Sequence, residues 1–289
     1  MQQEKNRIEG GTLYLVGTPI GNLADLSERA KKVLSGVDFV AAEDTRNSLR
    51  LLTACNISAK LISYHEHNKA AAGAKICERL LCGESCALIT DAGMPAISDP
   101  GEDLVRLACE NKIPVRVVPG PSAVVSALAL SALPTRRFAF EGFLDAKKSA
   151  RRVQIEKIKH DDRTLIFYEA PHKLLATLED LRDILGEERS ISVCRELTKL
   201  NEEVLRFSLS EAVEHFKKNE PRGEFVLVVE GADDKFCHEN NDDFSNTSPI
   251  DHVKKWEESG LSHMDAIKAA AKERGMKKSD FYKILNENK

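Results

Sequence analysis

Apolar runs rich in β-branched residues punctuate the first half of the chain about every 25 residues: TLYLVG, DFVAAE, KLISY, SCALIT and PVRVV. Amphipathic stretches fill most of the gaps. In the first gap Leu26, Ala30, Val33, Leu34 and Val37 fall on one helical face, Asp25 and Glu28 are spaced as a capping box, and Gly36 suits the helix end. Strands and helices alternating in this way predict a mainly parallel sheet covered by helices. Its ligand loops should follow the carboxyl ends of the strands.

After LSALPTRRF the pattern changes. RFAFEGF, RTLIFYE, SISVCREL, EEVLRFSL and EFVLVVEG read as strands, two of them only a few residues apart, and predict a second, more antiparallel sheet. The stretch DDKFCHENNDDFSNTSP is too polar to support a core and reads as a linker. Beyond it Val253 and Trp256 open a helix, SHMDAIKAAAKERG gives a second ending at Gly275, and KKSDFYKILNE a third. That spacing is like a small helix-turn-helix unit. The expected organisation is an α/β domain over 1–133, a second α/β domain over 134–232, a linker over 233–250 and a helical module over 251–289.

Composition narrows the setting. A chain of 289 residues, 42% of them hydrophobic, is long enough for two cores. No apolar run approaches the roughly 18 residues of a membrane span, and the polar N-terminus carries no signal-peptide core. The seven cysteines form no CxxC pair, and their odd number suits reduced thiols. A cytoplasmic protein without a membrane partner is expected. A net charge of -4 argues against coating nucleic acid by bulk charge, so DNA is not an expected partner and any RNA contact must be local. Lys147, Lys148, Arg151, Arg152, Lys157 and Lys159 form a basic cluster suited to phosphate, or simply a solvated helix face.

The candidate chemistry sits at the predicted strand ends. The first strand runs into VGTPIGN, whose glycines would let backbone approach a ligand, but the spacing departs from GxGxxG and argues against a dinucleotide site. The fourth runs into TDAGMPAISDPG and the fifth into VPGPSAVV. Together these loops offer amides, small side chains and two carboxylates without an adjacent Lys or Arg, an environment suited to a sulfonium cation. PGPSAVV lacks the GxSxG elbow of a serine hydrolase.

VGTPIGN, AAEDTR, ISYHEHN, DAGMPAISDPG, VPGPSA, FEGFL, LIFYEAPH and RELTK, in this order, resemble the ribosomal RNA small subunit methyltransferase I family of the tetrapyrrole methylase superfamily. The resemblance runs from about Gly11 to Gly231, and the helical tail is similar to that of many members. It implies a two-domain tetrapyrrole-methylase-like fold and a homodimer. It also implies S-adenosylmethionine as cofactor and, as reaction, 2′-O-methylation of a cytidine in the decoding region of 16S rRNA on the small ribosomal subunit. Methylation of a tetrapyrrole carbon, and non-catalytic RNA binding during ribosome assembly, are the competing readings. Met94 stands where related sequences often carry Thr, which removes a side-chain hydroxyl but leaves backbone contacts.

The cofactor is expected at Pro19, Asp91, Ala92, Gly93, Ile97, Ser98, Ser122, Ala123, Tyr168, Arg195, Glu196 and Phe225. A ribose hydroxyl must lose a proton as it is methylated; Asp44, His65, His67, Asp99 and Glu169 are candidate acceptors, with Asp44 and Glu169 preferred. Asp44 is equally placed to cap the helix starting near Thr45. His65 and His67 alternate on an extended segment and suit an RNA phosphate; without a third ligand, no metal is expected. Arg46, Lys147, Lys148, Arg151, Arg152, Lys277 and Lys278 complete the expected RNA contacts. Arg195 and Glu196 are alternatively an internal ion pair.

Overall fold

The computed structural model describes residues 7–232, 248–258, 262–274, 276 and 278–287. The first sheet contains β1 (Leu13–Val16), β2 (Phe39–Ala42), β3 (Leu61–Ser63), β4 (Cys86–Ile89) and β5 (Val115–Val118) in the order β3-β2-β4-β1-β5. Every pairing in it is parallel. Helices α1 (Glu28–Gly36), α2 (Thr45–Ala54), α3 (Lys69–Leu81) and α4 (Gly101–Glu110) make the crossovers. Strand alternation divides the core: Val40 and Ala42 join Leu34 and Leu52 on one face, while Phe39 and Ala41 join Ile76 and Leu104 on the other.

Helix α1 begins later than its pattern suggests. Ser27, not Asp25, caps it by accepting from Ala30 N at 3.1 Å, and Asn22 caps a separate one-turn 3-10 helix at Leu23–Asp25.

The second sheet is mixed, in the order β6-β7-β10-β8-β9, built from β6 (Phe138–Phe143), β7 (Thr164–Glu169), β8 (Ser190–Arg195), β9 (Glu203–Ser208) and β10 (Phe225–Val229). Only β6 and β7 pair in parallel; the other pairings are antiparallel. Helices α6 (Lys148–Ile158), α7 (Pro171–Leu185) and α8 (Leu209–Lys218) accompany it. Helix α5 (Ala123–Leu130), which belongs by sequence to the first domain, buries Val124, Ala127 and Leu128 against Ile166, Val226 and Val228 of this second sheet. Both sheets therefore belong to one compact unit, Met1–Ile155 with Thr164–Glu230.

A second unit comprises Glu156–Arg163 and Gly231–Lys289. Its helices Pro249–Glu258, His263–Glu273 and Lys278–Glu287 enclose Val253, Ala266, Ile267, Ala270, Ala271 and Phe281. The expected linker lies outside the described residues up to 247, and its last two residues, Pro249 and Ile250, are already helical. Lys277 and the side chain of Lys278 also lie outside the described residues. Among the described residues no helix is long and apolar enough to cross a membrane.

Candidate functional site

The three loops singled out by sequence meet at the carboxyl edge of the first sheet, and glycine explains how. A Cβ at Gly17 would lie 2.6 Å from Gly120 Cα and 2.7 Å from Met94 Sδ, so the β1 and β5 loops pack backbone to backbone. A Cβ at Gly21 would meet Lys199 Cγ, Thr198 Oγ1 and Leu197 O. Both glycines are needed for close contact between chain segments. Thr18 is fully buried; its amide donates to Gly93 O at 2.9 Å and receives a return bond from Gly93 N to Thr18 O at 3.2 Å. That bridge ties the first loop to the fourth.

The β4–α4 loop is held by one carboxylate. Asp99 Oδ1 accepts from Ala96 N at 2.9 Å and Gly101 N at 2.7 Å, while its Oδ2 is buried without a partner. Ala96 and Ser98 adopt left-handed φ values of 68° and 66°, a strained conformation for side-chain-bearing residues. The bend turns Ile97 and Ser98 into a cavity of about 400 Å³.

From the first sheet that cavity takes Ile20, Glu43, Thr90, Ala92, Gly93 and Met94, and from the α5 start Ser122 and Ala123. From the second sheet it takes Phe143, Tyr168, Glu169, Cys194, Phe225 and Val226, with Leu197 and Glu224 beside them. Tyr168 sits at the centre of an aromatic group, its ring 4.8 Å from Phe140 and 5.4 Å from Phe143, and burial pushes its hydroxyl above the ordinary range. Glu43, Asp99, Glu169 and Glu224 bring four carboxylates to the lining, which includes no Lys, Arg or His. Among the described residues no group of three or more His, Cys, Asp or Glu is placed to hold a metal ion.

The cavity thus gathers eight expected cofactor residues: Ala92, Gly93, Ile97, Ser98, Ser122, Ala123, Tyr168 and Phe225. Four others lie off its wall. Pro19 is buried between Thr18 and Ile20. Asp91 accepts from Asn47 Nδ2 at 3.0 Å. Arg195 bonds Arg222 O at 2.8 Å and reaches Glu203 at 3.3 Å. Glu196 pairs with Lys199 at 2.9 Å, so Arg195 and Glu196 have separate partners instead of one another.

The two preferred proton acceptors are both engaged locally. Asp44 caps α2 through Arg46 N at 2.8 Å and also holds the Arg46 guanidinium, which draws its carboxyl down to about 2. It does not line the cavity. Glu169 does, but its Oε1 accepts from Ala170 N at 2.8 Å and its Oε2 from Thr177 Oγ1 at 2.6 Å, a bracket at the start of α7.

The RNA candidates divide. Arg151 is 4% exposed and buries its guanidinium against Asp180 at 2.6 Å, so it presents no charge to a phosphate. Arg152 bridges Asp180 and Asp183 at 2.8 and 3.3 Å. Lys147, Lys148, Arg46 and His67 are exposed; His65 is half-buried with its Nδ1 enclosed and unpartnered.

Sequence reasoning missed Glu43, Thr90, Phe143 and Glu224. Strand parity was the available signal for the first: Phe39, Ala41 and Glu43 share one side of β2 and its extension, and Val40, Ala42 and Asp44 the other. Asp44 accordingly falls on the side of α2, which it caps.

The profile of the tetrapyrrole (corrin/porphyrin) methylases matches residues 12–213. The chain is 46% identical over 286 residues to the ribosomal RNA small subunit methyltransferase I of Halalkalibacterium halodurans, covering 99% of this chain and 98% of that one. A protein of the same name from Thermotoga maritima is 44% identical over 221 residues, 76% of this chain but 99% of its own length. Among solved structures, a uroporphyrin-III C-methyl transferase from Thermus thermophilus, complexed with S-adenosyl homocysteine, superposes with a TM-score of 0.54 at 18% identity. That match covers 76% of this chain and 97% of the other.

Proposed function

This chain belongs to the ribosomal RNA small subunit methyltransferase I family of the tetrapyrrole methylases, and from that premise we propose that it methylates the 2′-hydroxyl of a cytidine in the decoding region of 16S rRNA, using S-adenosylmethionine. The observation that carries the reading is the chemistry of the cavity wall. Its backbone-rich loops, three aromatic rings and four carboxylates, with no basic side chain among them, fit an adenosyl group bearing a sulfonium.

S-Adenosylmethionine supplies an electrophilic methyl group, whose transfer depends chiefly on alignment of the acceptor in a closed site. Ala92, Gly93, Ile97, Ser98, Ser122 and Ala123 would hold the cofactor from the first sheet, and Tyr168 and Phe225 from the second. Ser98 and Ser122 offer hydroxyls at the loop surface, and the half-exposed Phe143 and Ile97 offer apolar surface that a bound cofactor would cover. Exposed Arg46, His67, Lys147 and Lys148 are assigned to RNA phosphate, and a second copy of the chain to a homodimer.

The test offers methyl-labelled S-adenosylmethionine and the purified protein, in chelator, to unmethylated small ribosomal subunits and in parallel to a tetrapyrrole such as uroporphyrinogen. Label on rRNA, mapped by mass spectrometry to one cytidine ribose, is expected. Label on the tetrapyrrole alone would falsify the assignment.

A further inference from the structure

Resting on the reading of this chain as a ribose methyltransferase, we propose that Glu43 is its catalytic base, taking the proton of the acceptor hydroxyl as the methyl group arrives. The hydroxyl O–H bond breaks with its proton passing to a Glu43 oxygen, the new O–CH3 bond forms, and the CH3–S bond breaks with its electron pair staying on sulfur. The products are a methyl ether, a neutral thioether and a protonated Glu43, which then releases its proton to water.

Placement singles out Glu43 among the carboxylates. It lines the cavity just past β2, and its Oε2 accepts from Thr90 Oγ1 at 3.1 Å, which fixes the side chain through one oxygen and leaves Oε1 for the substrate proton. Asp44 is turned away to α2 and its ion pair with Arg46, both oxygens of Glu169 are committed to the α7 start, and the solvent-exposed Glu224 pairs with Lys199 at 2.9 Å. Asp99 spends Oδ1 on two loop amides, and its Oδ2 is enclosed beyond reach of a substrate hydroxyl.

The surroundings also suit the role. Burial raises the proton affinity of Glu43 above its ordinary value, opposed by the Thr90 bond, and the charges of Asp91 and Asp99 add to the rise. His65, from the β3–α3 loop, is the titratable group that acts in the opposite direction. A base whose proton affinity is lifted toward the working pH transfers protons more effectively than an ordinary carboxylate.

Three measurements decide the matter. Glu43→Gln keeps size and the Thr90 contact, so the thermal midpoint should match the parent and S-adenosylmethionine should still bind, weakened only by the loss of one of four carboxylates, while single-turnover methylation of small subunits at saturating cofactor falls by roughly 100-fold or more. The parent's rate should rise with pH through one ionisation above 4.5, and this limb should vanish in Glu43→Gln. An infrared difference titration of the substrate-free protein, parent minus Glu43→Gln, should show the carboxyl band disappearing over the same interval.

Asp99→Asn, which retains an acceptor for the two loop amides, should shift that interval to lower pH, and it decides the question should Glu43→Gln fail to fold. An active parent with an equally active Glu43→Gln, or an unshifted interval in Asp99→Asn, overturns the role of Glu43 alone. A parent that binds cofactor but leaves small subunits unmethylated overturns the functional reading with it.

Discussion

In the loop between β4 and α4, Ala92, Ile97, Ser98 and Asp99 line a cavity, whereas in the basic segment at 147–159 one arginine, Arg151, turns inward to Asp180. Both segments stand out in the sequence for their density of polar groups. The loop follows a buried strand and has no apolar helical stripe to bury, so its own carboxylate, Asp99, can hold the backbone bent toward the cavity. The basic segment is an amphipathic helix, and Arg151 shares its buried face with Ile155. Position relative to the helix stripe, not membership of a charge cluster, decides which cation meets solvent.

The largest expected effect lies in that buried pair. Arg151→Leu should cost about 3 kcal/mol, the low end for breaking a buried ion pair, because Arg152 still meets Asp180. Urea denaturation measures it. A destabilisation no greater than that of Lys148→Gln would erase the distinction between inward and outward cations.

A somewhat smaller effect sharpens the loop side. Gly17→Ala places a methyl group against Gly120 and Met94, and overpacking of this kind costs about 1–3 kcal/mol. Since Met94 belongs to the cavity wall, cofactor affinity should fall in the same variant. Reduced stability with undiminished affinity would separate loop packing from the site.

The smallest effect belongs to the exposed lysines. Lys147→Gln with Lys148→Gln should change stability by less than about 0.5 kcal/mol each. The salt dependence of small-subunit binding should flatten by about one unit of slope for each lysine that meets a phosphate. An unchanged slope would make them solvated surface.

Much of the fold was legible because alternation and turn residues are local signals. All ten strands of the described residues fall on apolar runs read from sequence, and TDAGMPAISDPG does become a cavity wall. The order β6-β7-β10-β8-β9 was not legible, since strand adjacency is set by packing between distant segments. Nor were the left-handed turns at Ala96 and Ser98, where no glycine marks them and Asp99 imposes them through the backbone. For Arg151 the sequence does carry a signal: Asp180 interrupts the stripe Leu174, Thr177, Leu178, Leu181 and Ile184 of α7, and a carboxylate there calls for a buried cation.

The central claim, that the cavity between the sheets is the cofactor site, is tested most directly by calorimetry with Ala92→Trp. Ala92 is exposed at the cavity wall, so an indole there should fill the space without disturbing the core. With chelator present, the parent should bind S-adenosylmethionine at one site per chain, and the variant should show no binding at an unchanged melting temperature. Equal affinity in parent and variant would place the cofactor elsewhere and contradict the account.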